Sequence, residues 1–403
     1  MGVNEEKSVK IAGIVAEYNP YHNGHAWLAS WLREQGATHV VAVMSGHLVQ
    51  RGEPALFSKW SRAEAALRNG VDLVLELPSL FAACSAEMFA DAAVGLLEGT
   101  GCIDWLGFGS ECGRLAPLWK AAQACTDEAV NGFIRQELKV GIPYAAARQK
   151  AVERLAGPEV AAALIEPNNI LGVEYLKALL RRNSSIQPLT TGRQGSAHDG
   201  RKPSGQFASA SALRGMLTGP GPVQAAPYLP SSAWAVYRRE LEIGRAPCRL
   251  ETLERGILYR LRTMGISDFN RLPDVSEGLG ERLMRAARSA TSLEEFYAFA
   301  KTKRYAHARL RRIALYAALG VVQEDMKLQP AYLRILGMNQ RGREVAARMK
   351  QTSALPYGTS FAKLAPYSGR IAAIERYAAE FWALGVPKVL PYGQDYTQKA
   401  IFL

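Results

Sequence analysis

KIAGIVAEYNPYHNGHAWL, residues Lys10 to Leu28, opens on an apolar run from Ile11 to Ala16 and closes on the start of a helical pattern, Trp27, Leu28, Trp31 and Leu32. The run reads as a buried parallel strand. It breaks at Glu17-Tyr18-Asn19-Pro20, where Pro20 ends any strand ladder and Asn19 favours a turn. Between that turn and the helix lies His22-Asn23-Gly24-His25. A strand, a polar turn and a helix start make an anion site, because the first backbone N–H groups of the helix point at the ligand. Gly24 lets that backbone approach a phosphate. Two histidines three residues apart can face the same one.

The four residues His22 to His25 resemble the HxGH signature of the nucleotidylyltransferase superfamily. The nine-residue string from Glu17 to His25 resembles a narrower group, the bacterial tRNA(Met) cytidine acetate ligases. That resemblance implies a two-step reaction. ATP and acetate give acetyl-adenylate and pyrophosphate, and the acetyl group then passes to N4 of the wobble cytidine of elongator tRNA(Met). It also implies an ATP site made of Val15, Ala16, Glu17, Tyr18, Asn19, Pro20, Tyr21, His22, Asn23, Gly24, His25 and Leu28, bordered by Gly109, Asn168, Arg193 and Gln194. Magnesium is expected with the triphosphate, keeping several waters and needing no dedicated protein cage. No prosthetic group is expected.

The bulk properties agree with a soluble, cytoplasmic protein. The chain has 403 residues, 48% of them hydrophobic and 21% charged, enough for two or three domains with full cores. Its apolar runs fall far short of the roughly 20 residues that cross a bilayer. Residues 1–9 are polar and lack a signal-peptide core. Five cysteines, Cys84, Cys102, Cys112, Cys125 and Cys248, show no CxxC spacing and read as reduced thiols without zinc.

Beyond the first unit, His39 to Ser45, Val71 to Pro78, Ile103 to Ser110 and Ile186 to Thr191 read as further strands, alternating with helices such as Lys59 to Leu67 and Ala86 to Leu97. This alternation predicts an α/β fold with a doubly wound parallel sheet. In such sheets the ligand lies beyond the carboxyl ends of the strands. The residues expected to converge there are His22, His25, Gln50, Arg51, Pro78, Ser79, Gly109, Ser110 and Glu111. Residues 113–165 read as a helical insertion. Asn168 reads either as a helix cap or, through the resemblance, as a border of the nucleotide site. Ser209 to Arg214 puts hydroxyls at a helix start with an arginine one turn on, a second phosphate grip. It resembles the SxxxxR motif that closes the superfamily's catalytic domain.

Gly219-Pro220-Gly221-Pro222 is the clearest linker, ending a catalytic domain of residues 10–219. Past it the strands are expected to stop, leaving a mainly helical domain over 223–403. Charge divides at the same place. Residues 1–220 hold 21 Lys/Arg and 21 Asp/Glu, whereas residues 221–403 hold 28 and 16, which accounts for the whole net charge of +12. A neutral half for a small substrate and a basic half for a polyanion follow. The densest cluster, Lys301, Lys303, Arg304, Arg309, Arg311 and Arg312, is the expected tRNA contact; the bland alternative is a set of surface ion pairs.

Adenylyl transfer needs positive charge and hydrogen-bond donors around a pentavalent α-phosphate and a departing pyrophosphate. His22 and His25 suit the α-phosphate. Arg214 and the amides after Ser209 suit the other two. Lys59 follows the Gln50–Pro54 loop and is expected either to reach the phosphates or the acceptor carboxylate, or to sit solvated at a helix start. Two other functions fit the same residues: a small-molecule nucleotidylyltransferase whose basic helices are an oligomer contact, and a non-catalytic RNA binder with a nucleotide pocket.

Overall fold

Six apolar residues bounded by a polar turn make Ile11–Ala16 (β1) the central strand of an eight-stranded sheet. The computed structural model describes residues 9–193, 205–276, 278–302 and 305–403. The remaining strands are His39–Ser45 (β2), Leu48–Val49 (β3), Glu53–Pro54 (β4), Leu73–Leu77 (β5), Trp105–Ser110 (β6), Gln187–Gly192 (β7), Leu333–Met338 (β8), Tyr357–Gly358 (β9) and Ile401–Phe402 (β10). In the sheet the order is β10-β8-β5-β2-β1-β6-β7, with β9 beside β8, while β3 and β4 form a separate hairpin.

β1 runs parallel to β2 and β6, from Ile11 opposite His39 to Ala16 opposite Met44. Side chains alternate between two cores. Ile11, Val41 and Val43 enter one, and Ala12, Ile14, Val40, Ala42 and Met44 enter the other. Burial on both faces explains why these strands read as unbroken apolar runs. Helices cover both faces, and residues 113–165 contain helices Leu115–Thr126, Glu128–Lys139 and Tyr144–Ala156.

The second half corrects the sequence reading. Its strands do not stop. Leu333–Met338 (LRILGM) pairs antiparallel with β5 and carries β10 on its outer edge, so the sheet is mixed and mostly parallel. By sequence Arg334 to Lys350 reads as a second basic cluster, with Arg341, Arg343, Arg348 and Lys350, and that charge masks this short apolar run.

Arg334 is part of the joint that holds this strand. Helix Lys59–Leu67 (α2) begins with a fully buried lysine whose ammonium contacts Glu76 of β5, Glu375 at 2.9 Å and Asp395 at 2.6 Å. Arg334 binds Glu76 at 3.1 Å and Asp395. Burial and the neighbouring Glu375 push the Glu76 carboxyl up to about 8. Burial alone would raise Glu375 too, but the Lys59 ammonium, Glu76 and the Ser79 N–H hold it down to about 2. A proton on Glu76 therefore leaves two carboxylates facing two cations, an electrically balanced core. Lys59 is thus not solvated: it is spent on three carboxylates and does not line the cleft at the carboxyl edge of the sheet.

Because Glu76 keeps its proton only in the folded chain, its contribution to stability is full below the ordinary carboxylate range. It drains away as pH rises towards about 8. The denaturation midpoint should fall between pH 5 and pH 8 and level off above, with Glu76→Gln flattening that slope. An unchanged slope in the variant would place the proton elsewhere. Lys59→Met, which strands buried carboxylates, should cost on the order of 3–5 kcal/mol.

Candidate active site

The turn after β1 is held from beneath. Arg62 of α2 is fully buried and donates to four carbonyls: Phe57 at 3.0 Å, Glu17 at 2.7 Å, Ser45 at 3.0 Å and Gly46. It gathers the ends of β1 and β2 under one guanidinium. Burial lowers its pKa to about 10, so it remains a cation at neutral pH. Asn19 Oδ1 accepts from the Leu56 N–H at 2.9 Å, and Tyr21 N–H donates to the Tyr237 hydroxyl at 2.9 Å.

Helix Asn23–Glu34 (α1) is capped by its own two histidines. His22 Nδ1 accepts from the Gly24 N–H at 3.1 Å, and His25 Nδ1 accepts from the His22 N–H at 3.2 Å. This is a capping box with imidazoles in the usual Ser and Glu places. The rings stack 3.7 Å apart, tilted by 22°. A Cβ on Gly24 would lie 3.0 Å from the His22 ring, so glycine is what allows this close pairing. Because each Nδ1 is an acceptor, each ring carries its proton on Nε2 and offers a neutral N–H donor. Burial, with Arg193 adding to it, lowers the His22 pKa to about 3; burial, then His22 and Arg193, lowers that of His25 well below its ordinary value.

These elements open on a cleft of about 450 Å³ at the carboxyl edge of the sheet. Val15, Ala16, Glu17, Tyr18, Asn19, His22, Gly24, His25, Leu28, Gly109, Asn168, Arg193, Ser209 and Arg214 all line it. Ser209 caps helix Ala210–Thr218 by accepting from the Ala212 N–H, and Arg214 reaches back to the Asn19 carbonyl at 3.1 Å. Arg193 sits 3.9 Å from Glu111, whose carboxylate accepts from the N–H groups of Asn168 and Asn169 and so caps helix Pro167–Arg181 from a distance. Asn168 is inside that helix and is not its cap.

Several expected residues lie elsewhere. Tyr21 is fully buried with its hydroxyl on the Asn69 carbonyl, and Asn23 Nδ2 donates to the carbonyls of Gln206 and Pro227. Pro20, between Asn19 and Tyr21, is likewise off the cleft wall. These three hold the turn. Ser79 gives its N–H to Glu375, and Ser110 pairs with Thr190. Gln194, Lys303 and Arg304 lie outside the described residues.

The expected tRNA-gripping arginines are committed to their own chain. Arg309 donates to the Asp274 carbonyl at 2.9 Å, Arg312 pairs with Asp274 at 3.3 Å and Arg311 binds Glu53. Arg311 fastens helix His307–Leu319 to the β3–β4 hairpin, whose Gln50, Arg51 and Glu53 line the cleft, while Arg309 and Arg312 fasten it to the turn at Asp274. The fit is close at Gly52, where a Cβ would meet the Arg312 backbone nitrogen at 2.7 Å. Charge spacing along a helix does not reveal an acid that returns from 38 or 258 residues away. Lys301 remains exposed.

Sequence reasoning missed the apolar wall, Phe89, Phe108, Leu171 and Tyr175. Only Phe108, beside Gly109 on β6, carried a local signal. A further polar link, Gln50 N–H to Glu17 Oε1 at 2.9 Å, ties the hairpin to the end of β1.

A family model described as HIGH Nucleotidyl Transferase matches residues 9–394. The tRNA(Met) cytidine acetate ligase of Thermoanaerobacter sp. (strain X514) is 35% identical over 382 residues, 93% of this chain and 94% of its own. The chain belongs to the tRNA(Met) cytidine acetate ligase family. The Bacillus subtilis (strain 168) ligase of the same name is 35% identical over 396 residues, 95% of this chain and 94% of its own. Crystal structures of Thermotoga maritima TmcAL, 32% identical, match at TM-scores of 0.93 for an apo form and 0.91 for a form bound with alpha-thio ATP. Each covers 98% of this chain and 100% of that one.

For this family member the histidine geometry makes a spectroscopic prediction. Nitrogen NMR of His22 and His25 should show protonated Nε2 and bare Nδ1, with no titration between pH 5 and 8. A titration near 6.5, the ordinary histidine value, would contradict the buried capping-box arrangement.

Proposed function

We propose that this chain is an ATP-dependent ligase that activates acetate as acetyl-adenylate and acetylates N4 of the wobble cytidine of elongator tRNA(Met) in the cytoplasm. The observation that carries this reading is the stacked pair His22 and His25, two neutral N–H donors in a cleft that also holds Arg193 and Arg214.

In the first step an acetate oxygen attacks the α-phosphorus of ATP. The bond to the β-phosphate oxygen breaks, and pyrophosphate leaves with the electron pair. The protein's task is to stabilise charge on the α-phosphate oxygens and the leaving group. His22 and His25 do the former as neutral Nε2–H donors. Arg214, Arg193 and the amides behind Ser209 do the latter. In the second step N4 of the cytidine attacks the acetyl carbonyl, AMP leaves, and N4 loses a proton.

Magnesium belongs with the triphosphate. Among the described residues the one three-carboxylate group, Glu76, Glu375 and Asp395, already encloses the Lys59 ammonium. Glu17 and Glu53 line the cleft, one holding Gln50 and the other Arg311. That sparse set suits an ion that keeps its waters and takes its other ligands from phosphate. It would neutralise charge on the departing pyrophosphate.

Pyrophosphate exchange into ATP should require acetate, and purified protein with bulk tRNA and ATP should yield N4-acetylcytidine. Exchange with another acceptor would favour a small-molecule nucleotidylyltransferase, and no exchange would favour a binder. His22→Ala and His25→Ala should each lose about 2.7–4 kcal/mol of transition-state stabilisation. Near-normal exchange in either would remove that imidazole from the reaction. Arg193→Ala should raise the ATP requirement, and Gly109→Val, whose Cβ would press on Arg193 at 3.3 Å, should do the same. Unchanged ATP binding by calorimetry in both would clear these residues from the nucleotide site.

A further inference from the structure

Three tyrosines near the end of the sequence are exposed where burial would be expected. Tyr392 is 69% exposed, Tyr396 49% and Tyr377 43%. They are not scattered. Arg376 lies 5.1 Å over the Tyr377 ring, one helical turn before Glu380. Gly393, between the latter two, donates to Glu380 at 2.7 Å, pinning their loop to helix Gly369–Leu384.

The platform is rigid from below. Tyr396 packs edge-on against Phe361 with ring centres 5.1 Å apart, and buried Phe361 rests on the Arg334 guanidinium at 4.6 Å. Arg334 belongs to the buried charge cluster, so the stack is anchored in the sheet.

Charge on this segment is sorted by direction. Residues 361–403 carry five basic side chains, Lys363, Arg370, Arg376, Lys388 and Lys399, and three acidic ones. Arg370 is paired with Asp325 at 2.6 Å, while Glu375 and Asp395 point into the buried cluster and Glu380 holds Gly393, which leaves Lys363, Arg376, Lys388 and Lys399 as the segment's outward charge. A positive face with open aromatic rings suits an unpaired nucleic-acid strand, because every base has a π-face and every phosphate a charge.

Position supports the same partner. Glu375 accepts from the Ser79 N–H just after β5, and a Cβ on Gly46, just after β2, would come 2.9 Å from it. Helix Gly369–Leu384 therefore lies over the carboxyl ends of β5 and β2, beside the end of β1 that forms the cleft. With strands about 4.8 Å apart, β5, whose end this helix covers, lies about 10 Å from β1.

We propose that Tyr377, Tyr392, Tyr396 and Arg376 form a stacking platform for unpaired RNA bases. This rests on the reading of the chain as a tRNA-modifying ligase and places the RNA contact on a surface other than helix His307–Leu319.

The test is filter binding of a tRNA(Met) transcript and of a loop-free duplex RNA, each at two salt concentrations. A Tyr392→Ala/Tyr396→Ala double variant should bind the tRNA about tenfold or more weaker, with its salt dependence and its duplex binding unchanged. Arg376→Ala should make the salt dependence shallower by about one unit of slope. Tyr396→Phe, which keeps the ring, should bind as the parent does. ATP affinity by calorimetry serves as the folding control. Equal tRNA binding by parent and double variant would overturn the proposal, as would an equal loss for duplex RNA. So would altered self-association in sedimentation with tRNA binding intact, which would make the face a contact between two copies. If the parent itself bound no tRNA, the acceptor reading would fall with this one, while acetate-dependent pyrophosphate exchange would still stand or fall by itself.

Discussion

A lysine ammonium enclosed by three carboxylates holds this molecule together. Lys59, Glu76, Glu375, Asp395 and Arg334 come from five separate stretches of chain and meet without access to water. Such a cluster adds little net stability relative to an apolar core, because desolvation cancels much of the attraction. It is, however, unforgiving: none of its four charged members can be displaced without stranding a buried charge. It therefore fixes β8, the Gly369–Leu384 helix and the C-terminal segment against β5 in a single arrangement. The Gly219–Pro222 linker separates two sequence patterns, but the sheet runs across both.

That arrangement reaches the cleft through short links. α2 supplies Lys59 to the cluster and, three residues later, Arg62 to the carbonyls that end β1 and β2. The same helix thus fixes both the joint between the halves and the turn that presents the histidines. On the other side, Arg311 and Glu53 tie a C-terminal helix to the hairpin at the mouth of the cleft. The geometry of the imidazoles is consequently set by residues distant in sequence, while their protonation is set locally by the capping box.

The legibility of the sequence followed the range of the interactions. Strand, turn, HxGH and helix start are local, and β1, the turn and the two motif histidines could be read from nineteen consecutive residues. The helices of residues 113–165 were legible from periodicity. What escaped depended on partners far away. Lys59 looked like a phosphate ligand because Glu375 and Asp395 lie more than 300 residues on, and the arginines of helix His307–Leu319 looked free because Asp274 and Glu53 were invisible as partners. β8 was hidden by the arginine that anchors it. Pro20, Tyr21 and Asn23 belonged to the right motif but brace it and do not line the cleft.

The central claim is that two neutral, stacked imidazoles present their Nε2–H groups to the phosphate that reacts. A crystal structure of this protein with a non-hydrolysable ATP analogue tests it most directly. The account predicts the α-phosphate oxygens within hydrogen-bonding distance, about 2.7–3.2 Å, of Nε2 on both His22 and His25, with both Nδ1 contacts retained. A triphosphate bound away from the pair, or imidazoles that turn Nδ1 towards it, would contradict the account.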